Sequence, residues 1–367
     1  MKVLHVITSL RTGGAEKLMV ELLPRLKARG IDTDLLLFDG IATPFRRAAE
    51  EAGVKIMDLG EGGSVYSLTR LFKLLPYLKR YDIVHTHNTA PQLFAAIGSL
   101  LCPAVLCTTE HTTSNRRRNW EWYAAVDRWM YSRYEEVICV SQKTEDNLRH
   151  FIGTTRTNIC VVENGVDISQ YAAAEASTEL ERIAPGSRKM MMVAGFRGEK
   201  DQDTLIRALN DLPENFHLFF VGDGIRRSEC EALAATCEVA SRTHFLGLRD
   251  DVPRLLHAAD YVIMSSHFEG LSLSSIEGMS VGRPFLASDV DGLHDVVEGA
   301  GVLFPHGDAA ALVREIMKLE ADGGHYAAVA RACGARAARY DIHRMAESYI
   351  DVYRRLLRRP LGRPQQQ

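Results

Sequence analysis

Little in this chain of 367 residues is extreme, and several things are missing. No run of ~20 predominantly apolar residues is present, the length a membrane-spanning helix needs. The one uncharged stretch of that length, from Asn88 to Thr109, carries Pro91, Pro103 and polar side chains. It divides into a buried helix from about Pro91 to Leu101 and a strand, "AVLCTT". No small-residue cleavage site follows "MKVLHVITSL", so the N-terminus reads as a first strand rather than a signal peptide. Cysteines 102, 107, 139, 160, 230, 237 and 333 show no paired spacing. That excludes a disulfide framework and points to small core residues of a reduced, intracellular protein. A net charge of −3 gives nucleic acid no electrostatic footprint to bind. The first strand is not followed by G-x-G-x-x-G, which argues against a nicotinamide oxidoreductase. His85 and His87 lack a third partner at a metal-ligand spacing and read as polar lining of a cleft.

What is there is a regular alternation. Short apolar runs ("VLHVITSL", "TDLLLFD", "DIVHTHN", "AVLCTTEH", "EVICVS") are separated by amphipathic helical stretches. Continuous apolar runs mark parallel strands buried on both faces, and strand–helix alternation marks a doubly wound α/β sheet. The series breaks at a polar, Ala-rich segment that follows the Asn164-Gly165 turn signal. A second series then begins: "MMMVAGF", "HLFFVGDG", "THFLGL", "DYVIMSS", "RPFLASDV" and "GVLFP". Two Rossmann-like domains are expected, 1–170 and 171–348, facing each other across a cleft. Ligands in such sheets bind beyond the carboxyl ends of the strands.

The polar residues of interest sit just past those ends. Gly13 and Gly14 open the first helix, where free backbone N–H groups favour an anion. His111 follows a strand, with Arg116, Arg117 and Arg118 next. Those arginines suit a membrane surface or a phosphorylated acceptor, while Trp122, Val126 and Trp129 are expected to face the core. In the second series Arg197 and Lys200 flank a glycine-bearing loop and suit a diphosphate. Gly222 lies in a similar turn, and the backbone near Leu248 is placed to meet a flat base. "SSHFEGLSLSSIEGMS" holds Glu269 and Glu277 eight positions apart with no cation between them. A helix is expected to start near Ser272 or Ser274, making the turn an anion seat with a hydroxyl acceptor on either side. Ribose, diphosphate and hexose, the parts of a nucleotide diphosphate sugar, match that order.

Taken together, "GGAE", "DIVHTH", "VSQKT", "VVENGVDISQY", "FRGEKDQDTLIRAL", "VGDG", the long "FLGLRDDVPRLL…GRPFLASDVDGLHDVV" and "GVLFPHGD" resemble a family 4 glycosyltransferase of the group 1 type, along nearly the whole chain. The resemblance implies a GT-B fold, a retaining and metal-independent hexosyl transfer, and a nucleotide diphosphate sugar, most often UDP-linked, as co-substrate with no cofactor. It implies a lipid-linked or glycan acceptor for a surface polysaccharide, and a cytoplasmic protein able to touch the inner face of the membrane. By the same resemblance Gly13 and Gly14 lie under the donor phosphates, and His111 near the reacting sugar. Arg197 and Lys200 neutralise the leaving diphosphate, and Glu269 holds sugar hydroxyls. Glu277 holds the ribose, and the backbone of Gly270, Leu271, Ser272 and Leu273 caps the diphosphate. His87 and the three arginines fall on the acceptor or membrane side. The last helix, about 349–362, is expected to return to the first domain.

Two departures stand out. The family commonly has arginine five residues before the lysine; here Gly195 holds that place, and the arginine is Arg197. Ser272 and Ser274 stand where glycine and proline are common. A nucleotide-sugar epimerase of the same fold, or a non-catalytic nucleotide-sugar-binding subunit, are the competing readings.

Overall fold

A computed structural model of the chain describes residues 1–11, 13–111, 121–153 and 157–358, with the side chains of 121 and 122 excepted. The chain forms two units. The first comprises Met1–Asn164 and the segment from His343 onward, and the second Gly165–Ile342. Where the chain passes from one to the other, Val166 N–H donates to Tyr340 O (2.9 Å), and Ile342 N–H to Val166 O (2.9 Å). Gly165 is needed there for close packing, since a Cβ would lie 2.6 Å from the Ile342 Cα.

The first unit contains β1 (Lys2–Ile7), β2 (Asp32–Leu37), β3 (Lys55–Asp58), β4 (Ile83–His87), β5 (Val105–Glu110), β6 (Glu136–Cys139) and β7 (Asn158–Val161). All pairs are parallel, in the order β3-β2-β1-β4-β5-β6-β7. β3 and β7, the two edges, do not appear among the apolar runs of the sequence. Each is four residues long with an exposed first residue, so neither reads as a buried strand. Leu4, Val6, Leu36, Val84, Leu106 and Val137 pack against Leu74, Phe94 and Met130 from the helices. The helix Ile342–Arg358 belongs to this unit, and its Tyr349 and Tyr353 are fully buried.

The second unit contains β8 (Arg188–Val193), β9 (Phe216–Val221), β10 (Thr243–Phe245), β11 (Tyr261–Met264), β12 (Phe285–Asp289) and β13 (Val302–Pro305), again all parallel, in the order β10-β9-β8-β11-β12-β13. Its core is aromatic and sulfur-rich: Met190, Met191, Met192, Phe219, Phe220, Tyr261 and Phe285. Each sheet has one switch point, where strand order reverses: β1/β4 in the first unit and β8/β11 in the second. Ligand crevices in open parallel sheets form there.

The cysteines are free, and 102, 107, 139, 230 and 333 are buried. Among the described residues no helix is long and apolar enough to cross a membrane. In the helix Glu121–Tyr131 the buried face is Asp127, Met130 and Tyr131. Trp129 is instead exposed, a correction to the expectation that it faces the core. An aromatic residue in a helical pattern does not fix which face packs.

Candidate functional site

In the second unit, the loops after β8 and β11 are joined across the switch point. Asp201 caps the helix Gln202–Asp211, accepting from Thr204 N–H (3.2 Å), and its other oxygen accepts from Ser265 Oγ (2.8 Å). Lys200 and Ser266 form a β-bridge, and His267 N–H donates to Glu199 O (2.9 Å). On this frame Lys200 Nζ donates to Glu269 Oε2, which also accepts from Ser266 Oγ (3.1 Å). Both charged side chains are mostly buried, at 13% and 18% exposure, so each offsets the other's desolvation. Arg226 braces the loop from behind. It donates to the Lys200 carbonyl oxygen (3.0 Å) and to both oxygens of Asp203 (3.0 and 2.9 Å).

Arg197 is exposed, and among the described residues its guanidinium has no ion pair or hydrogen bond. It lies over Gly195, where a Cβ would stand 3.5 Å from Arg197 Nε. The cation free to meet an anion is therefore Arg197, while Lys200 already carries a counter-ion.

The glycines of this unit hold backbone against backbone. A Cβ on Gly222 (φ +136°) would meet Ala194 O at 2.1 Å, and one on Gly224 (φ +157°) would meet Phe196 O at 2.3 Å. The turn after β9 thus lies directly against the turn after β8. Gly292 does the same for the glutamate turn, with a Cβ 2.1 Å from Gly270 O. Gly270 itself has open space beside it. The helix after this turn runs Leu273–Met279, one of the two starts the serines suggest. Ser272 is its N-cap residue but makes no side-chain cap bond. Glu277 is buried within that helix, and the Leu248 side chain is 80% exposed at the tip of the turn after β10.

In the first unit, Gly13 is the N-cap of the helix Gly14–Ala28. Glu16 folds back over it, and a Cβ on Gly13 would fall 2.1 Å from Glu16 Oε2. Burial raises the Glu16 carboxyl above its ordinary value. Asn88, which follows β4, takes φ 66° and ψ 166°, a conformation rare for a residue with a side chain. Its Oδ1 accepts from Thr8 N–H (3.4 Å), bridging the β1/β4 switch point.

His85 and His87 have a third neighbour, His5 of β1, because β1 and β4 run side by side with His5 opposite His85. All three rings are fully buried, so they do not form an exposed polar lining. His87 Nδ1 lies 3.0 Å from His111 Nε2. Desolvation by burial lowers His5 to about 3 and His111 to about 4, and holds His85 and His87 well below the usual imidazole range. No spacing search within one segment finds His5, whose partners lie some eighty residues on. The available signal is a histidine in the middle of an otherwise apolar strand. Arg116, Arg117 and Arg118 lie outside the described residues.

The sequence model of Glycosyltransferase Family 4 matches residues 12–170, and that of Glycosyl transferases group 1 matches residues 175–337. Between them these span most of the chain, which belongs to the family 4, group 1 glycosyltransferases. It is similar to a UDP-Gal:alpha-D-GlcNAc-diphosphoundecaprenol alpha-1,3-galactosyltransferase of Escherichia coli, 25% identical over 273 residues, 70% of each chain. It is also similar to a D-inositol 3-phosphate glycosyltransferase of Xylanimonas cellulosilytica, 28% identical over 309 residues, 76% of this chain and 73% of that one. Among solved structures, HepE of Anabaena in complex with UDP superimposes with a TM-score of 0.84 at 21% identity, covering 97% of this chain and all of HepE. The fold is GT-B.

Proposed function

We propose that this glycosyltransferase moves a hexose from a UDP-linked donor to a lipid-linked or glycan acceptor of a surface polysaccharide, with retention of configuration and without a bound metal. The observation that carries this reading is the Lys200–Glu269 pair, set beside the unpaired Arg197 where the loops after β8 and β11 meet.

The arrangement suits a diphosphate bonded to a sugar. Arg197 meets the diphosphate first. Lys200 then exchanges Glu269 for a phosphate oxygen, and Glu269 is released to accept from hexose hydroxyls. The backbone N–H groups of Gly270 to Leu273 cap the phosphate, and Glu277 accepts from the ribose. The acceptor oxygen bonds to the anomeric carbon on the face that the diphosphate leaves. The bond from that carbon to the phosphate oxygen breaks, and that oxygen takes the acceptor's proton. Two cations supply the positive charge that a metal would otherwise bring.

Support for a UDP donor comes from HepE, solved with UDP and with UDP-glucose. Support for a lipid-linked acceptor comes from the E. coli relative, whose name specifies a diphosphoundecaprenol acceptor. An acceptor of that kind would bring the protein to the inner face of the cytoplasmic membrane, with Arg116–Arg118 on the acceptor side; His87, fully buried and bonded at both ring nitrogens, is not part of that surface.

The test is turnover of UDP-, GDP- and ADP-hexoses, with and without a GlcNAc-diphospholipid, in EDTA. UDP release that requires both a UDP-hexose and the acceptor, and that survives EDTA, is expected. Isomerised donor without nucleotide release would identify an epimerase. Binding without turnover under every acceptor would identify a non-catalytic subunit.

A further inference from the structure

Six hydrogen-bonded links join His111 to the interior of the first unit. His111 Nε2 lies 3.0 Å from His87 Nδ1, and His87 Nε2 lies 3.0 Å from His5 Nδ1. His5 Nε2 lies 3.2 Å from Tyr353 OH, which lies 2.7 Å from His85 Nδ1. His85 Nε2 lies 2.8 Å from Thr109 Oγ1, and Tyr349 OH stands 3.3 Å from the same threonine oxygen. Every ring nitrogen of His5, His85 and His87 is used. His111 Nδ1 has no hydrogen-bond partner among the described residues.

A neutral imidazole has one donor nitrogen and one acceptor nitrogen. Neutral rings joined nitrogen to nitrogen must therefore all point the same way, and only two directions exist. A protonated ring would donate at both nitrogens, break the row and bury a charge; desolvation keeps all four rings neutral.

The far end selects between the two directions. Tyr349 is fully buried, and Thr109 Oγ1 is its hydroxyl's hydrogen-bond partner among the described residues. If the row ran inward from His111, one buried hydroxyl, that of Tyr353, Thr109 or Tyr349, would be left without an acceptor, because each has a single proton to donate. Leaving a buried donor unmade disfavours that direction roughly ten- to hundredfold. In the other direction Tyr349 donates to Thr109, Thr109 to His85 Nε2, His85 Nδ1–H to Tyr353, and Tyr353 to His5 Nε2. His5 Nδ1–H then donates to His87 Nε2, and His87 Nδ1–H to His111 Nε2. Every buried donor is satisfied.

We propose that Tyr349, Thr109, Tyr353, His85, His5 and His87 are positioning residues that fix the tautomer of His111, so that it presents a neutral Nδ1–H donor and not a base. On the reading of His111 as a residue at the sugar, on which this role rests, the group it binds is an oxygen of donor or acceptor. A metal on His5, His85 and His87, whose ligand atoms lie within 4.8 Å of one another, is the competing use. The rings argue against it. His5 Nδ1 faces His87 Nε2 at 3.0 Å with the ring planes 8° apart, which leaves no room between these nitrogens for an ion bonded to each at ~2.0–2.1 Å.

The test is nitrogen NMR of the full chain labelled with 15N-histidine at neutral pH, with His111 assigned by loss of its signals in His111→Gln. The expected spectrum has His5, His85, His87 and His111 all protonated at Nδ1 and bare at Nε2, unchanged by added zinc. In His87→Phe, His111 loses its enforced partner and shifts toward an Nε2–H mixture. In His87→Gln, whose amide can still donate, the Nδ1–H form is kept. Any of the four rings found as the Nε2–H form or doubly protonated in the wild-type chain, or a zinc-induced shift of His5, His85 and His87 together, overturns the proposal. The spectrum is independent of turnover. Full activity of His111→Phe would remove the catalytic reading of His111, and the spectrum alone would still decide whether the row sets its tautomer.

Discussion

The Arg197 side chain folds back over Gly195, so that a Cβ at position 195 would stand 3.5 Å from Arg197 Nε. The guanidinium thus lies over the position at which the family resemblance leads one to expect an arginine. A charge-assisted bond from it to a phosphate is worth about 1.5–3 kcal/mol. Arg197→Ala is expected to weaken UDP binding in calorimetry by roughly ten- to hundredfold. Thermal stability should hold, because the side chain is exposed and supports nothing else. Gly195→Arg combined with Arg197→Ala is expected to recover most of the affinity.

Lys200 and Glu269 are worth more as a pair than either is alone. Removing one partner of a mostly buried pair leaves an uncompensated charge, at a cost of about 3 kcal/mol. Lys200→Met and Glu269→Gln should each lower the unfolding midpoint and abolish turnover. The double variant should regain stability without regaining activity, which a double-mutant cycle of denaturation and kinetics would read.

Gly292 and Gly270 make a matched comparison. A Cβ at 292 meets the Gly270 carbonyl oxygen at 2.1 Å and Glu269 O at 2.6 Å, whereas one at 270 meets nothing within 4 Å. Gly292→Ala must push the glutamate turn away and is expected to lower both the unfolding temperature and UDP affinity. Gly270→Ala should be mild in stability. Equal effects would contradict this account of the turn.

The buried histidines set an acid limit on the fold. Their folded values lie below the ordinary 6.5, at about 3 for His5 and about 4 for His111, with His85 and His87 also lowered. Unfolding frees these rings to take up protons. Their neutral burial therefore carries no penalty above pH ~6.5, and stability is lost as pH falls from there toward 4 and 3. Each proton bound only by the unfolded chain steepens that loss by about 1.4 kcal/mol per pH unit. Urea denaturation at stepped pH should show stability flat above 7 and falling steeply below 6.5.

The sequence carried the central strands of both sheets, because strands buried on both faces must be apolar throughout. It did not carry β3 and β7, whose edge positions relax that demand. Arg197, Lys200 and Glu269 were visible as charged residues past strand ends. That Lys200 and Glu269 neutralise each other was not, since the contact depends on β8 and β11 being neighbours. His5 was hidden for the same reason, along with Tyr349 and Tyr353, which arrive on a helix more than 260 residues after His85. Gly224 and Gly292 lay in quoted motifs, but their role, the close approach of two backbones, exists only in three dimensions. Trp129 shows the reverse error, an apolar side chain that faces water.

The most direct measurement is proton NMR of the product formed from an α-linked UDP-hexose and a short-chain GlcNAc-diphospholipid. The anomeric coupling constant of the new linkage reports its configuration. An α-linked product with stoichiometric UDP is predicted, and its rate should collapse in Lys200→Met/Glu269→Gln. A β-linked product would contradict front-face transfer at this site, and undiminished turnover in the double variant would contradict the site itself.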